Sequence, residues 1–351
     1  MNPTACVPLV ELTRGNMVES FHSGCVAVVD SSGNLLAGLG DPQYTTFLRS
    51  SSKPFQILPL LENGGAEAFQ LTDREIALMC ASHSGTDEHL AAVNALQEKV
   101  GVQESDLLCG THPVYHQPTQ EALIRRGESP TPNRHNCSGK HTGFLAQAVL
   151  RAPSKEDYIN PAHPVQQSVL QTFAEMVNYP PEKIILGIDG CSAPVFAVPL
   201  YHAAWGFARL ADPRSLPEKR AQACRRVTQA MAAEPFMVAG PDRFDTLAMQ
   251  VGRGKFICKA GAEGYQAIAV MPGALGEHSP ALGIAFKVAD GDPSGRARPV
   301  IAVEILRQLG LLTQDEIDTS LAKLAARRLT NWRGLEIGEI RPVFELKVRW
   351  G

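Results

Sequence analysis

The stretch "VESFHSGCVAVVDSSGNLLAGLGD" (residues 18–41) predicts two β-strands joined by a tight turn. Apolar and β-branched residues fill both halves of the stretch, as they do in strands. The Ser-Ser-Gly-Asn sequence between the halves, at residues 31–34, consists of residues that favour turns. The chain is therefore expected to begin with strands of a sheet.

The residue pattern becomes helical after this pair of strands and stays helical to about residue 180. Thr72 and Glu75 form a capping box at the start of "TDREIALMC" (72–80), and "TDEHLAAVNALQEKVG" (86–101) runs from a threonine cap to a glycine stop. Further helices are predicted at residues 163–181, 216–235, 298–310 and 314–328, and further strands at 183–200, 254–276, 280–292 and 343–348. Because no Pro/Ser linker divides the chain, we expect one α/β domain of residues 1–351. Its sheet would come from about residues 8–45 and 183–351, and a helical lobe from about 50–180.

Composition narrows the class of protein. The formal net charge is -3 for 351 residues and no basic tract stands out, which argues against a nucleic-acid partner. No apolar run reaches the roughly 18 residues of a membrane-spanning helix, and the N-terminal sequence lacks the pattern of a signal peptide. The eight cysteines then predict reduced thiols rather than a disulfide framework. We expect a cytoplasmic protein without membrane association.

Ser50 and Lys53 in "RSSSKPFQILPL" (49–60) form the first candidate catalytic pair. At a spacing of three in a helical first turn, the hydroxyl and the amine share a face. A serine attacks a carbonyl when a base removes its proton, and a neutral lysine can do so if burial and nearby positive charges lower its pKa. The alternative is a serine that caps the helix beside a solvated lysine.

Two later stretches offer partners for such a pair. Ser82 and His83 lie in "SHSG" (82–85), directly after an apolar helix, where a simple helix-ending turn is the alternative. Lys259 lies in a predicted strand of "ICKAGAEG" (257–264), and the small residues after it would let a substrate approach the strand edge. The alternative for Lys259 is an edge lysine that protects a sheet from association.

The densest polar cluster is "RHNCSGKHTGFL" (134–145). It fails the phosphate-loop template, since no Ser or Thr follows the lysine and no glycine stands at the required spacing. Cys137 shares a helical face with Lys140 and His141, and a cysteine with a histidine is half of a zinc site. "GIDGCSAP" (187–194) adds a cysteine and an aspartate after a predicted strand. Zinc ligation and buried structural cysteines are both open at this point.

Taken in order, the Ser50/Lys53, Ser82 and Lys259 segments resemble the three motifs of serine β-lactamases, penicillin-binding proteins and serine-dependent glutaminases. The chain more closely resembles the Rhizobium etli-type (class 3) L-asparaginases, also called L-asparaginase II, over essentially its whole length. The segments that carry this resemblance are "ELTRGNMVESFHSG", "RSSSKPFQ", "ASHSG", "NRHNCSGKHTGF", "GIDGCSAP" and "KAGAEG".

The resemblance implies a serine β-lactamase/glutaminase-like α/β fold, an antiparallel sheet with packed helices plus a helical lobe, in a homodimer. It implies hydrolysis of L-asparagine to L-aspartate and ammonia by two Ser-Lys pairs, Ser50 with Lys53 and Ser82 with Lys259. It also implies a Zn²⁺ site that assists substrate binding, with the ligands Cys137, Lys140 and Cys191 and with Asp189 beside it. The candidates for substrate binding are Arg49, His83, Asn136, His141 and Asp189.

Three alternatives remain at the level of sequence. One is a metallohydrolase in which the thiols with His141 or Lys140 hold a zinc ion that activates water. Another is glutamine as the main substrate, since one methylene changes binding by only about 1–3 kcal/mol. The third is a binding module that keeps an amide-recognition cleft without turnover. The sequence argues against it, because every motif residue with a chemical role is still present.

Overall fold

The computed structural model describes residues 5–151 and 154–350. The chain divides into two compact units. The sheet unit holds the residues up to Leu48, Val198–Asp212 and the residues from Leu247 onward. The helical unit holds Arg49–Ala197 and Pro213–Thr246. The predicted helical lobe lies within the helical unit, while the expectation of one domain across the whole chain stays a prediction.

An eight-stranded sheet is the framework of the sheet unit, in the order β10-β11-β1-β2-β9-β8-β7 with β3 also paired to β2. These neighbours are antiparallel. This sheet and the helices confirm the predicted fold class. The strands of the chain are β1 (Val7–Arg14), β2 (Met17–Asp30), β3 (Leu35–Leu39), β4 (Thr45–Phe47), β5 (Ile185–Ile188), β6 (Pro194–Pro199), β7 (Phe256–Gly261), β8 (Tyr265–Val270), β9 (Leu282–Val288), β10 (Arg327–Thr330) and β11 (Glu336–Pro342).

The strand β2 is the longest, and it joins β1, β3 and β9 within the sheet. Its second half is fully buried because both faces are covered. The turn into β3 is held by Asp30, whose carboxylate accepts the backbone N–H groups of Ser32 and Asn34 and the side-chain amide of Asn34. Gly33 takes the left-handed conformation there, with φ at 92°. The two strands predicted from residues 18–41 are confirmed.

The helical unit combines short helices of 4–7 residues with longer ones of 10–16 residues. The α-helices of the chain are α1 (Lys53–Gln56), α2 (Leu58–Glu62), α3 (Gly65–Ala68), α4 (Asp73–Met79), α5 (Asp87–Val100), α6 (Gln117–Arg126), α7 (Ser138–Arg151), α8 (Pro164–Val177), α9 (Leu200–Ala211), α10 (Glu218–Ala233), α11 (Pro235–Ala239), α12 (Phe244–Gly252), α13 (Ala297–Gln308) and α14 (Gln314–Glu316). The 3-10 turns are Arg49–Ser52, Glu104–Asp106, Pro132–Arg134, Pro181–Lys183 and Pro213–Ser215. The capping box of Thr72 and Glu75 at the start of α4 is confirmed.

No helix among the described residues is long and apolar enough to cross a membrane.

Two predictions near the C-terminus are wrong. The helix predicted at 314–328 ends early, because α14 passes into a π-helical turn at Ile317–Leu321 and then into β10. Side chains of β10 alternate between half-buried and exposed, which is the pattern of a strand at the edge of a sheet. The strand predicted at 343–348 is absent from the described residues, since the last strand ends at Pro342. The strand β11 was not predicted, because its charged residues interrupt the apolar pattern of a strand.

Helix α9 packs closely on β9 within the sheet unit. A Cβ atom built on Gly283 of β9 would lie 1.7 Å from the carbonyl oxygen of Ala204 on α9. Only glycine fits there, and the small side chains of Ala204 and Ala208 face the same contact. This contact seats a buried helix on one face of the sheet.

Helix α7 approaches α4 just as closely within the helical unit. A Cβ atom on Gly139 would lie 2.3 Å from the carbonyl oxygen of Leu78, and one on Gly143 would lie 2.9 Å from the Met79 sulfur. The glycines are four residues apart, so they share one face of α7. The contact sets the start of α7, with Cys137 directly before it and Lys140 in its first turn, beside the segment that follows α4, which carries Ser82.

We expect Gly139→Ala to destabilise the protein by about 3 kcal/mol, because overpacking against a backbone carbonyl forces the two helices apart. The control is Val149→Ala, at an exposed position of α7, which favours the helix in the same way without a clash. Chemical unfolding measures both variants. A Gly139→Ala variant as stable as its control would contradict the close contact.

Candidate active site

Lys53 is a buried lysine of the helical unit. It begins α1 directly after the 3-10 turn Arg49–Ser52, and it is only 1% exposed. Its Nζ donates hydrogen bonds to the carbonyl oxygen of Ala81 at 2.5 Å and to Oγ of Ser82 at 3.0 Å. The lysine of the first motif thus meets the serine of the second motif.

Three serine hydroxyls precede Lys53, and their surroundings differ. Ser51 and Ser52 are buried, and the Ser52 hydroxyl donates to the carbonyl oxygen of Arg49 at 2.9 Å. Ser50 is half-buried, and its hydroxyl has no hydrogen-bond partner within residues 5–151 and 154–350. Of the three hydroxyls, the one at Ser50 is therefore the most accessible. Its role as nucleophile stays a prediction.

Arg49 and Asp189 form an ion pair beside Ser50. The Nε and one terminal nitrogen of Arg49 lie 2.8 and 2.7 Å from Oδ1 of Asp189. Arg49 has φ at 51°, a left-handed conformation that is uncommon for a residue with a side chain. Burial disfavours the Asp189 carboxylate, but the Arg49 and Lys140 cations outweigh burial and hold the pKa of Asp189 below its ordinary value. Two predicted substrate-binding residues are thus paired with each other.

Two thiols and an amine form a buried cluster next to Lys53. Lys140 Nζ donates to Sγ of Cys191 at 2.9 Å, and Cys137 lies beside both residues. A hydrogen bond from the Cys191 thiol, aided by the electrostatic effect of the Lys53 and Lys140 side chains, lowers the pKa of Cys137 well below its ordinary value although burial opposes the shift. The same hydrogen bond, together with burial, raises the pKa of Cys191.

This cluster fits the chemistry of a zinc site in part. No group of three His, Cys, Asp and Glu residues in the described chain has the arrangement of a metal site, so a site here must use the amine of Lys140 as a ligand. Two cysteine sulfurs and a nitrogen are donors that zinc prefers, and each must lose its proton to bind. The amine contacts the sulfur of Cys191, and the two sulfurs contact each other. Zinc ligation by Cys137, Lys140 and Cys191 stays a prediction.

His83 is a buried neutral histidine. Its Nδ1 accepts the backbone N–H of Gly85 at 3.2 Å, and its Nε2 lies 2.9 Å from the hydroxyl of Ser138. That hydroxyl donates to the carbonyl oxygen of Asn133, so Nε2 of His83 is the donor to Ser138. Burial, then the neighbouring His89 and Lys53, lower the pKa of His83 well below its ordinary value. Both ring nitrogens have protein partners.

His141 and Asn136 flank the thiol cluster. Tyr158 accepts the backbone N–H of Leu108 at 2.8 Å and lies 2.7 Å from Nδ1 of His141. Nε2 of His141 is buried, and the Cys191 thiol is the neighbouring group that interacts with this side chain. Burial and the Lys140 cation lower the pKa of His141 to about 4. The backbone N–H of Asn136 donates to Nε2 of His112 at 3.0 Å.

Sequence analysis did not identify Tyr158, His112 or Ser138. Each is recognised only by a contact across the fold: Ser138 lies within the polar stretch 134–145, but its hydrogen bond to His83 spans 55 positions. Lys259 lies on β7 in the sheet unit, fully buried, with Nζ donating to the carbonyl oxygen of Ala260 at 2.9 Å. Since Lys259 and Ser82 belong to different units, the second Ser-Lys pair stays a prediction.

The sequence model of the L-asparaginase II family matches residues 10–342. The chain belongs to the L-asparaginase II family. Membership supports an amidohydrolase activity on a small-molecule substrate. A search of curated protein sequences returns no match.

Among solved structures, this chain is similar to glutaminases, with which it shares little sequence identity. A probable glutaminase from Bacillus subtilis, complexed with 6-diazo-5-oxo-L-norleucine, has 14% identity and a TM-score of 0.39, with 82% of this chain and 84% of that chain covered. A Bacillus glutaminase in the presence of 4.3 M NaCl has 12% identity and a TM-score of 0.37, with 82% and 91% covered. Likeness at this level carries no conclusion about substrate.

We expect the Arg49–Asp189 pair to stabilise the protein in a pH-dependent way. The folded-state pKa of Asp189 is depressed, so its contribution is present above the unfolded-state value of about 3.9 and is lost as pH falls through the folded-state value. Asp189→Asn removes this contribution. The difference in unfolding free energy between wild type and variant should be largest near neutral pH and shrink below about pH 4.

Urea unfolding at a series of pH values measures this difference. Glu182→Gln, which neutralises an exposed carboxylate, is the control. An equal loss of stability at neutral and acidic pH in Asp189→Asn would show that the ionised carboxylate is not what stabilises the fold.

Proposed function

We propose that the protein is an L-asparagine amidohydrolase of the Rhizobium etli type (class 3), which converts L-asparagine to L-aspartate and ammonia. The observation that carries this proposal is the buried Lys53, hydrogen-bonded to Ser82 and one turn after the accessible Ser50, in a chain of the L-asparaginase II family. Ser50 is the nucleophile, Lys53 is its base, and Ser82 is a proton relay.

Acylation uses these three side chains. The Ser50 oxygen attacks the amide carbon of the substrate, while Lys53, as the neutral amine, takes the serine proton. The proton passes through the Ser82 hydroxyl, 3.0 Å from Lys53 Nζ, to the amide nitrogen. The carbon–nitrogen bond then breaks, ammonia leaves, and an aspartyl ester remains on Ser50. The backbone N–H of Ser50 is the proposed donor to the oxyanion.

In deacylation, water is the nucleophile and the Ser50 oxygen is the leaving group. Water adds to the ester carbon as Lys53 takes one of its protons, the carbon–oxygen bond to Ser50 breaks, and the proton returns to the Ser50 oxygen. We assign Lys259 to a second pair with Ser82 on the resemblance to the family alone. The homodimer and the cytoplasmic location also rest on that resemblance and on composition.

The ion pair of Arg49 and Asp189 offers a physical reason for an amino-acid substrate. A free amino acid carries one carboxylate and one ammonium, and the pair presents one cation and one anion within hydrogen-bond distance of each other. We assign the substrate carboxylate to Arg49 and its ammonium to Asp189. We also propose that His83, Asn136 and His141 line the substrate site.

Cys137, Lys140 and Cys191 are the proposed holders of a Zn²⁺ ion. When bound, the ion would supply a positive charge that helps to hold the substrate. The Asp189 carboxylate belongs to the same polar cluster, since Lys140 is the second-largest cause, next to Arg49, of the lowered pKa of Asp189. The chain's own serine and lysine side chains carry out the bond changes in this proposal.

We expect Ser50→Ala to lower kcat for ammonia release from L-asparagine by several orders of magnitude, because no other hydroxyl can replace the attacking oxygen. Ser51→Ala and Ser52→Ala are the matched controls, and both should retain most of the activity. Circular dichroism checks that each variant is folded. Near-normal turnover by Ser50→Ala would contradict the nucleophile, and faster hydrolysis of L-glutamine by wild type would contradict the substrate.

We expect exhaustive chelation to raise KM for L-asparagine while kcat changes little, because the metal is proposed to assist binding. Elemental analysis before and after treatment reports the zinc content. The matched variant is Cys191→Ala, which lacks one of the proposed zinc ligands. Loss of kcat on chelation, restored by zinc, would favour the metallohydrolase alternative. Absence of zinc from the purified protein would contradict the metal assignment and leave the serine mechanism in place.

A further inference from the structure

Two thiols lie next to each other in the sheet unit, outside the candidate active site. Cys6 precedes β1 directly, and Cys25 lies on β2, the antiparallel neighbour of β1. Val7 pairs with Gly24, so Cys6 and Cys25 occupy the next facing positions. Their sulfurs are 3.2 Å apart. No role in amide hydrolysis explains this contact.

Backbone groups hold the two thiols in place. The Cys25 thiol donates to the carbonyl oxygen of Ala5 at 3.2 Å, so the Cys6 thiol is the donor in the contact between the sulfurs. The backbone N–H of Asp41 donates to the same carbonyl at 2.8 Å. A Cβ atom on Gly40 would lie 2.9 Å from the Cys25 sulfur, so this side of the pair is closed by backbone.

We propose that Cys6 and Cys25 are a modification site, at which a low-molecular-weight disulfide such as oxidised glutathione converts the two thiols into a reversible disulfide. A disulfide has a sulfur–sulfur distance of about 2.05 Å, so the sulfurs must move together by roughly 1 Å. Facing positions on antiparallel strands have Cα separations of about 4.5–5.5 Å, within the range that a disulfide spans.

The reaction proceeds by two exchanges. Because Cys6 is half-buried rather than fully buried, the exchange begins there: its sulfur, as the thiolate, attacks one sulfur of oxidised glutathione and displaces one glutathione thiolate. The Cys25 thiol then loses its proton, attacks the Cys6 sulfur and displaces the second glutathione thiolate. One external disulfide is reduced to two thiols, and two protein thiols are oxidised to one disulfide. Burial raises the pKa of Cys25 to about 12, which makes the second exchange the slower one.

The disulfide would tie the segment before β1 to the longest strand of the sheet. Cys6 and Cys25 are 19 positions apart, so the bond closes a loop that contains β1 and the turn into β2. Closing a loop of this length restrains the unfolded chain and stabilises the folded one. Oxidation would thus raise the stability of the sheet unit without using any residue of the candidate active site.

Cys137 and Cys191 also neighbour each other, but they are less accessible than Cys6. Both are nearly fully buried, at 3% and 2% exposure. Attack on an external disulfide requires a thiol that the reagent can reach. The half-buried Cys6 meets this condition, so the exchange is expected at Cys6 and Cys25 first.

Peptide mapping of the full chain tests the proposal. The reduced protein is incubated with oxidised glutathione, the remaining thiols are alkylated under denaturing conditions, and peptides are identified by mass spectrometry. We expect a peptide pair linked through Cys6 and Cys25, and a rise in Tm of about 5 °C that a reductant reverses. Cys6→Ser and Cys25→Ser should lose both effects.

The matched control is Cys224→Ala, which removes a fully buried thiol of α10 and should retain the linked peptide and the rise in Tm. A link between Cys137 and Cys191 alone would overturn the proposal. So would a glutathione adduct on Cys6 that never resolves, or unmodified thiols after prolonged incubation. None of these readouts depends on amidohydrolase activity, so they stand apart from the outcome for the proposed function.

Discussion

The close contact between α7 and α4 is the constraint on which the candidate site depends. Gly139 allows α7 to lie against the carbonyl oxygen of Leu78, at a distance that a side chain on that residue would prevent. Cys137 lies two positions before this glycine and Lys140 directly after it, and Ser82 follows α4 by a few residues. Two segments that are far apart in the sequence are thus held together by a contact that any larger residue would disrupt.

The second constraint is the burial of charged groups in this small volume. Lys53 and Lys140 are almost fully removed from water, and burial of an uncompensated ammonium costs several kcal/mol. Each lysine therefore has close partners: Ala81 and Ser82 for Lys53, and the thiols for Lys140. These partners fix each amine in one position. A fixed amine beside a serine hydroxyl is the arrangement that proton transfer requires.

The sequence predicted those features that local residues determine. The turn of Asp30 to Asn34, the capping box of Thr72 and Glu75, and most helices and strands follow from neighbouring residues, and the structure confirms them. The failed helix at 314–328 shows the limit, since its last two residues belong to β10, whose pairing with β11 is a contact that local residues do not reveal. Likewise, the ion pair of Arg49 with Asp189 spans 140 positions, and no spacing rule predicts it.

The most direct test of the account is to trap the nucleophile. Incubation with a diazoketone analogue of L-asparagine, which alkylates the attacking oxygen, followed by peptide mapping, identifies the reacting residue. We expect one adduct, on Ser50, whose formation L-asparagine slows. An adduct on Ser51, Ser52 or Ser82, or the absence of any serine adduct in protein that hydrolyses L-asparagine, would contradict it.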